Sequence, residues 1–410
     1  MISIGHEIPE PAETSFADRG LKLHGLELVR VGLPLRDPWT TAAGAFRVRD
    51  SLLVRVVLEV LGDGEGGEQI EGWGECGALP APSYSSEYTE EAARVSVDRL
   101  VPALAGGGVA RACEVIGALS ATKGHNMAKT AFEGAFLDAE LQAAGRSLAS
   151  YLASASRARG GQRTRVTAGV AVGLAPSLGE LVEQVGGWVA QGYKRVKLKI
   201  RPGQDMEVVA AVRERWPDLV LAADANGTYA AIPFDEAVGS LRALEPFGLV
   251  CVEQPLADDD LLGHAELARR TELPISLDEA LSSLSMLAAA LRLGACSVAN
   301  IKAGRLGGYL EAVKAHDLCN EQGVPVFCGG LVETGVARAA NVALAALPNF
   351  KLPGDLSASG RFFEMDLTST MALGPDGAIA VPEGPGLGVS VDTSAIASFA
   401  TWRLWCPVGG

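Results

Sequence analysis

Paired cysteines are missing from this chain. Seven are scattered over 410 residues (Cys76, Cys113, Cys251, Cys296, Cys319, Cys328 and Cys406), an odd number with no CxxC spacing. That pattern fits neither a disulfide framework nor a zinc ribbon, and it does fit the reduced thiols of a cytoplasmic protein. Basic clusters are missing as well: 35 Lys+Arg face 49 Asp+Glu, a formal net charge of −14. So acidic a chain suits neither nucleic acid nor an anionic membrane surface, and it does suit a soluble protein that binds cations. No apolar run is long and clean enough to cross a bilayer; the richest, Leu281 to Leu293, is interrupted by Ser, Met and Arg. The first residues, MISIGHEIPEPAETSFADRG, carry acids and two prolines where a signal peptide needs an apolar core, so a cytoplasmic location is expected.

What is present is enough for a large globular protein. Hydrophobic residues make up 48% of the chain, and 49 glycines with 21 prolines stay below the level of low-complexity sequence. The length exceeds the roughly 250 residues at which single cores stop growing, so more than one domain is expected. Residues 1–22 read as an extension. Three strand-like runs follow, HGLELVRVGLPL, SLLVRVVLEV and EQIEGWGEC, the last two joined by Gly62-Asp-Gly-Glu-Gly-Gly67. That link matches GxGxxG, but a strand follows it where a dinucleotide site needs a helix, so it reads as a hairpin turn. Helical periodicity then takes over in TEEAARVSVDRLVPAL and MAKTAFEGAFLDAELQAAG, which makes residues 23–155 an α+β capping domain.

Beyond Arg165 short β-rich runs alternate with helical stretches: VTAGVAVGL, RVKLKI, LVLAADA, LVCVEQP, LPISLDE, SVANIKA, VPVFCGG and KLPGDL. Eight such units imply a (β/α)8 barrel of the TIM type over residues 160–365. The remaining 366–410 fall outside it and are expected to pack back on the capping domain.

Charges inside buried barrel strands need a reason. Lys199, Asp224, Glu253, Asp278 and Lys302 end successive runs at separations of 25, 29, 25 and 24 residues, each about one β/α unit. They therefore gather at the C-terminal face, where barrel enzymes place their chemistry. Asp224, Glu253 and Asp278 form an all-oxygen set suited to a hard cation, Mg²⁺ or Mn²⁺ in its place, with Glu279 an alternative ligand one residue on. Lys199 and Lys302 lie across the mouth from one another. Lysines near a cation have lowered pKa values, and the pair can move a proton at a carbon next to a carboxylate from either side.

The motifs KLK (Lys197 to Lys199), DANG, EQP, DEA and IKAGRLGG resemble the enolase superfamily, and the two opposed lysines resemble its muconate-lactonizing subgroup. None of the five histidines falls at a strand end, unlike the mandelate racemase pattern. GWGECGALPAPSYSSEYTEEA, CGGLVETGVARAANVALAALPNF and LPGDLSASGRFF narrow the likeness, over about residues 25–390, to the o-succinylbenzoate synthase / N-acylamino acid racemase family. The resemblance implies a metal-dependent lyase or racemase acting on a small carboxylate, and a homo-oligomer. The lyase reaction dehydrates a cyclohexadiene carboxylate (SHCHC) on the way to menaquinone; the racemase acts on N-succinylamino acids. Lys199 and Lys302 would then be the acid/base pair, Lys197 would contact the substrate carboxylate, and Asn226 would support the site. Segments 40–46 and 79–86 would cover the mouth, with Ala45, Phe46 and Tyr84 against the substrate, and Gly329, Gly330 and Ser357 would leave room for its bulk. A muconate-type cycloisomerase, a dipeptide epimerase, whose DxD the GDLS stretch lacks, and a non-catalytic metal-binding barrel are the alternatives.

Overall fold

The computed structural model describes residues 20–41, 44–61 and 67–408; the N-terminal extension to residue 19 and most of the glycine-rich turn lie outside them, as do the side chains of residues 40–45. β1 (Leu21–Thr41), β2 (Gly44–Val60) and β3 (Glu68–Cys76) form an antiparallel meander. Its long strands are rich in Val and Leu, and Leu26, Leu28, Leu52, Val54 and Val56 are fully buried. Such β-branched and aliphatic runs favour pleated, half-buried backbone.

The helix Asn126–Ala143 packs across β3, and 15 of its 18 residues are buried. It approaches so closely because β3 presents glycines: a Cβ on Gly72 would lie 2.2 Å from the Ala135 carbonyl oxygen, and one on Gly74 1.9 Å from that of Ala131. Phe132 and Phe136 are sealed inside, each contributing roughly 1.5–3 kcal/mol of burial. Glu87 accepts from the first amides of this helix, Met127 N at 2.9 Å and Ala128 N at 2.8 Å, which answers donors that a helix leaves unpaired.

The chain then enters β4 (Arg165–Thr167) and the barrel strands β5 (Gly169–Val172), β6 (Arg195–Lys199), β7 (Val220–Asp224), β8 (Val252–Glu253), β9 (Ile275–Leu277), β10 (Val298–Ile301) and β11 (Val326–Cys328). They pair in parallel in simple sequence order, as strands joined by helical crossovers do. The result is a (β/α)8-type barrel with an α+β cap, but the eighth position differs from the expectation of a strand. Lys351–Ser357 adopts no regular secondary structure. Pro353 has no amide to donate, and only scattered bonds hold the segment to β11, including Asp355 N to the Cys328 carbonyl at 2.9 Å. On its other side the Gly354 carbonyl comes so near Gly169 of β5 that a Cβ there would lie 2.4 Å away. The segment thus fills the gap between β11 and β5.

After the barrel, β12 (Ala378–Ala380) pairs with β4, and β13 (Ala400–Pro407) pairs with β1 from Gly25↔Pro407 to Val31↔Ala400. Sequence from both ends of the chain therefore shares one four-stranded sheet, β13-β1-β2-β3. No helix among the described residues is long and apolar enough to cross a membrane.

Candidate active site

β6, β7 and β8 hold Lys199, Asp224 and Glu253 in direct register, Lys199↔Asp224↔Glu253. Asp278 and Lys302 directly follow β9 and β10. Because side chains alternate along a strand, Lys197 and Lys199 share a face. Lys197, Lys199, Asp224, Asp278, Glu279 and Lys302 all line one cavity of about 740 Å³.

The turns behind two of the carboxylates are strained. Asn226 and Gln254 have φ of 41° and 42°, left-handed values that cost a non-glycine residue about 1–3 kcal/mol. Side-chain hydrogen bonds hold each of them in place. The Gln254 side-chain oxygen accepts from Asp278 N at 3.1 Å and Ala280 N at 3.2 Å, so it fixes the turn that carries Asp278. Asn226 accepts from Lys199 and donates to Glu279 Oε1 at 2.8 Å.

The charges form two linked sets. In the first, Lys197 Nζ donates to Asp355 Oδ2 at 2.6 Å and Glu253 Oε2 at 2.8 Å and sits 3.1 Å from Asp224 Oδ2. Lys199 Nζ donates to the same Asp224 oxygen at 2.7 Å. Glu253 also accepts from Asn300 at 3.0 Å. In the second, Lys302 Nζ donates to Asp278 Oδ2 at 2.9 Å and to the Tyr84 hydroxyl at 2.8 Å. That hydroxyl donates to Asp278 Oδ2 at 3.1 Å, and Arg305 reaches the other oxygen at 2.6 Å.

Burial opposes the charge of Asp224, yet Lys199 and Lys197 hold its carboxyl below the usual range. Burial wins at Glu253 and at Asp278, each pushed up to about 7 against Lys197 and Lys302 respectively. The lowered lysine expected beside a cation is a separate state from this one, in which protein acids alone surround Lys302. Burial does push it down, but Asp278, Glu253 and Glu279 more than offset this and keep it protonated. Lys197 is raised in the same way by Asp355, Glu253 and Asp224, so its ammonium is already surrounded by protein carboxylates.

The donor set is all oxygen, as a hard cation requires. Glu279 Oε2 is buried without any hydrogen-bond partner, beside acids that raise one another's pKa; such an orphan needs an explanation, and a cation supplies one. In this arrangement ammonium groups stand between the acids, and among the described residues no three acidic, Cys or His side chains enclose one point as a metal cage.

Other expected contacts fall differently. Tyr84 and Gly330 line the cavity; Phe46, Gly329 and Ser357 do not. Gly329 makes room for protein: a Cβ there would lie 2.3 Å from Lys302 Cε. Ser357 is fully buried and its carbonyl accepts from Arg338 at 2.8 Å. The side chain of Ala45 lies outside the described residues. Asp355, Arg305 and Arg361 also belong to the site; Asp355 stands near the end of the eighth run but is not among the five charges read from the sequence, Arg305 and Arg361 carry no strand-end signal, and Asp355 pairs with both Arg195 and Lys197.

With this geometry in hand, comparison with known proteins is decisive. Residues 180–395 match the family described as enolase C-terminal domain-like. The chain belongs to the enolase superfamily. The N-succinylamino acid racemase of Amycolatopsis sp. is 47% identical over 94% of this chain and 99% of its own. The o-succinylbenzoate synthase of Geobacillus stearothermophilus is 41% identical over 88% and 91%. A crystal structure of an enolase-superfamily protein from Listeria innocua superposes with a TM-score of 0.86 at 33% identity, over 95% of this chain and 100% of that one. This enolase-superfamily chain, like those relatives, is an enzyme.

Proposed function

We propose that the protein removes the proton α to a substrate carboxylate, as an N-succinylamino acid racemase, an o-succinylbenzoate synthase, or both, the activities for which its relatives are named. The observation that carries this is the placement of Lys199 at the end of β6 and Lys302 just after β10, separated by three strands with acids at or just past their ends, in the wall of one cavity. Asp224, Glu253 and Asp278 would hold a divalent cation, Mg²⁺ or Mn²⁺, with Glu279 next to them. When bound it offsets the negative charge that grows on the substrate carboxylate as the proton leaves.

The residues divide the work. Lys199 stands on one side of the reacting carbon and is the less buried lysine, with 27% of its side chain exposed against 7% for Lys302. It takes the proton. In dehydration it gives that proton to the leaving hydroxyl, while Lys302 remains an ammonium and faces the developing charge. In racemisation Lys302 delivers a proton to the opposite face. Tyr84 closes the site from the cap and fixes the direction of Lys302 Nζ.

The test is solvent exchange. In D₂O with Mg²⁺, N-succinylphenylglycine should take up deuterium at its α-carbon. Lys199→Ala and Lys302→Ala should each reduce racemisation about 10²–10⁴-fold. SHCHC dehydration run beside it ranks the two activities. Unchanged turnover in both variants would remove the lysines from the mechanism.

A further inference from the structure

Most cations of the cavity are answered by protein acids: Lys197, Lys199 and Lys302 as above, and Arg338 by Glu333 at 3.4 Å. Arg361 is not. It lines the same cavity and is partly buried, and among the described residues it forms no ion pair. One nitrogen donates to the Ala171 carbonyl on β5. The guanidinium lies in an aromatic box, 4.9 Å from the Phe362 ring centre, 5.0 Å from Trp188 and 5.6 Å from Trp39. Trp39 and Phe362 themselves meet edge to face at 5.6 Å.

A cation withdrawn from water without a partner costs stability, so this one calls for an anion that arrives from outside. Burial already pushes its pKa down to about 10. None of its nitrogens is both sealed off and unpartnered, so those not bonded to Ala171 keep contact with solvent, on a side chain that lines the cavity. Stacked against rings, a planar guanidinium keeps its edge free for two parallel bonds to a carboxylate. Its position is also telling. Ala171 is in register with Lys197, so Arg361 sits at the β5 side of the mouth, away from Lys302 and Tyr84 at the β10 side. A substrate whose α-carbon lies between the lysines can extend an acyl chain toward it.

We propose that Arg361, boxed by Trp39, Trp188 and Phe362, binds the terminal carboxylate of the substrate's acyl chain and so selects dicarboxylic acyl groups over neutral ones. The assignment rests on the proton-abstraction reading for the fate of the other carboxylate.

The test begins with the unaltered protein, which needs no variant to fold. N-succinylphenylalanine and its terminal amide, N-succinamylphenylalanine, should differ at least tenfold in kcat/KM for α-proton exchange, mostly through KM. In Arg361→Met that preference should collapse toward unity, and in Arg361→Lys part of it should return. Equal kcat/KM for acid and amide in the unaltered protein overturns the proposal. If neither compound exchanges, the proton-abstraction reading has failed instead, and binding decides about Arg361. Quenching of tryptophan fluorescence by succinate should then saturate at a concentration at least tenfold lower than by succinamate; equal concentrations overturn the proposal on that route as well.

Discussion

Gly329 shows how little space surrounds Lys302. A β-carbon there would lie 2.3 Å from Lys302 Cε and 2.4 Å from Asn300 Oδ1. Gly329→Ala must therefore displace Lys302, and misplacing a reacting group by about 1 Å costs roughly 10²-fold. The expected outcome is a kcat loss of that size with a stability change of no more than about 1–3 kcal/mol, read from exchange at saturating substrate and from urea unfolding. Gly187→Ala, where a Cβ meets nothing within 4 Å, should leave both readings near their starting values. Asp355→Asn tests the opposite balance. Arg195 and Lys197 are both buried and both rely on that carboxylate, so removing its charge should destabilise the fold by about 3–5 kcal/mol, seen as a lower urea midpoint. The five strand-end charges were legible in the sequence because one β/α unit fixes their spacing. Asp355 was not, since its meaning comes from Lys197, 158 residues earlier. Gly329 and Ser357 end runs where the pattern suggests space for substrate, whereas Lys302 and Arg338 fill that space. Chain spacing does not distinguish a glycine that admits a ligand from one that admits a neighbouring side chain.

The helix Asn126–Ala143 carries a second kind of stored charge. Glu133 is fully buried and accepts from Tyr309 N and from Leu310 N at 3.4 Å, at the start of the helix Tyr309–Glu321. Burial pushes its carboxyl up to about 8 despite those amides. An unfolded glutamate titrates near 4.3, so the folded protein holds the extra proton between the two values. The stability this adds is complete below about pH 4, falls as the pH climbs toward 8, and is gone above it. Between pH 5 and 8.5 the melting temperature of the native protein should fall more steeply than that of Glu133→Gln; parallel curves would remove Glu133 from the account. At this scale the sequence pattern and the structure agree where elements are regular. The helical period of MAKTAFEGAFLDAELQAAG and the apolar runs of β5 to β11 correspond to observed elements. KLPGDL is the exception: Pro353 brings no amide to the ladder, and the eighth unit is a wedge. The apolar pattern marks burial, and a buried segment need not be a strand.

For the molecule as a whole, a bound cation would couple the acids at the barrel mouth to stability. If Asp224, Glu253 and Asp278 share a cation, its binding stabilises the folded state by mass action, about 2.7 kcal/mol at a hundred times Kd. Addition of Mg²⁺ should raise the melting temperature, EDTA should reverse it, and Glu253→Gln should blunt the shift; a temperature indifferent to Mg²⁺ would count against these ligands independently of any assay of turnover. The alternation of strands and helices made the barrel legible early, because parallel strands must be joined by crossovers. That the segment carrying Tyr84 reaches the mouth was legible as well, but its hydrogen bonds to Lys302 and Asp278 were not, because residues 194 and more positions away have no spacing in the chain to announce their contact. That phenol has a consequence for descent. The cap segment that lines the cavity also holds Lys302 by a hydrogen bond, so under the proposed mechanism a chimera that borrows another relative's cap would reset acid–base behaviour together with selectivity. In such a protein new specificities and new reaction outcomes are inherited as one trait.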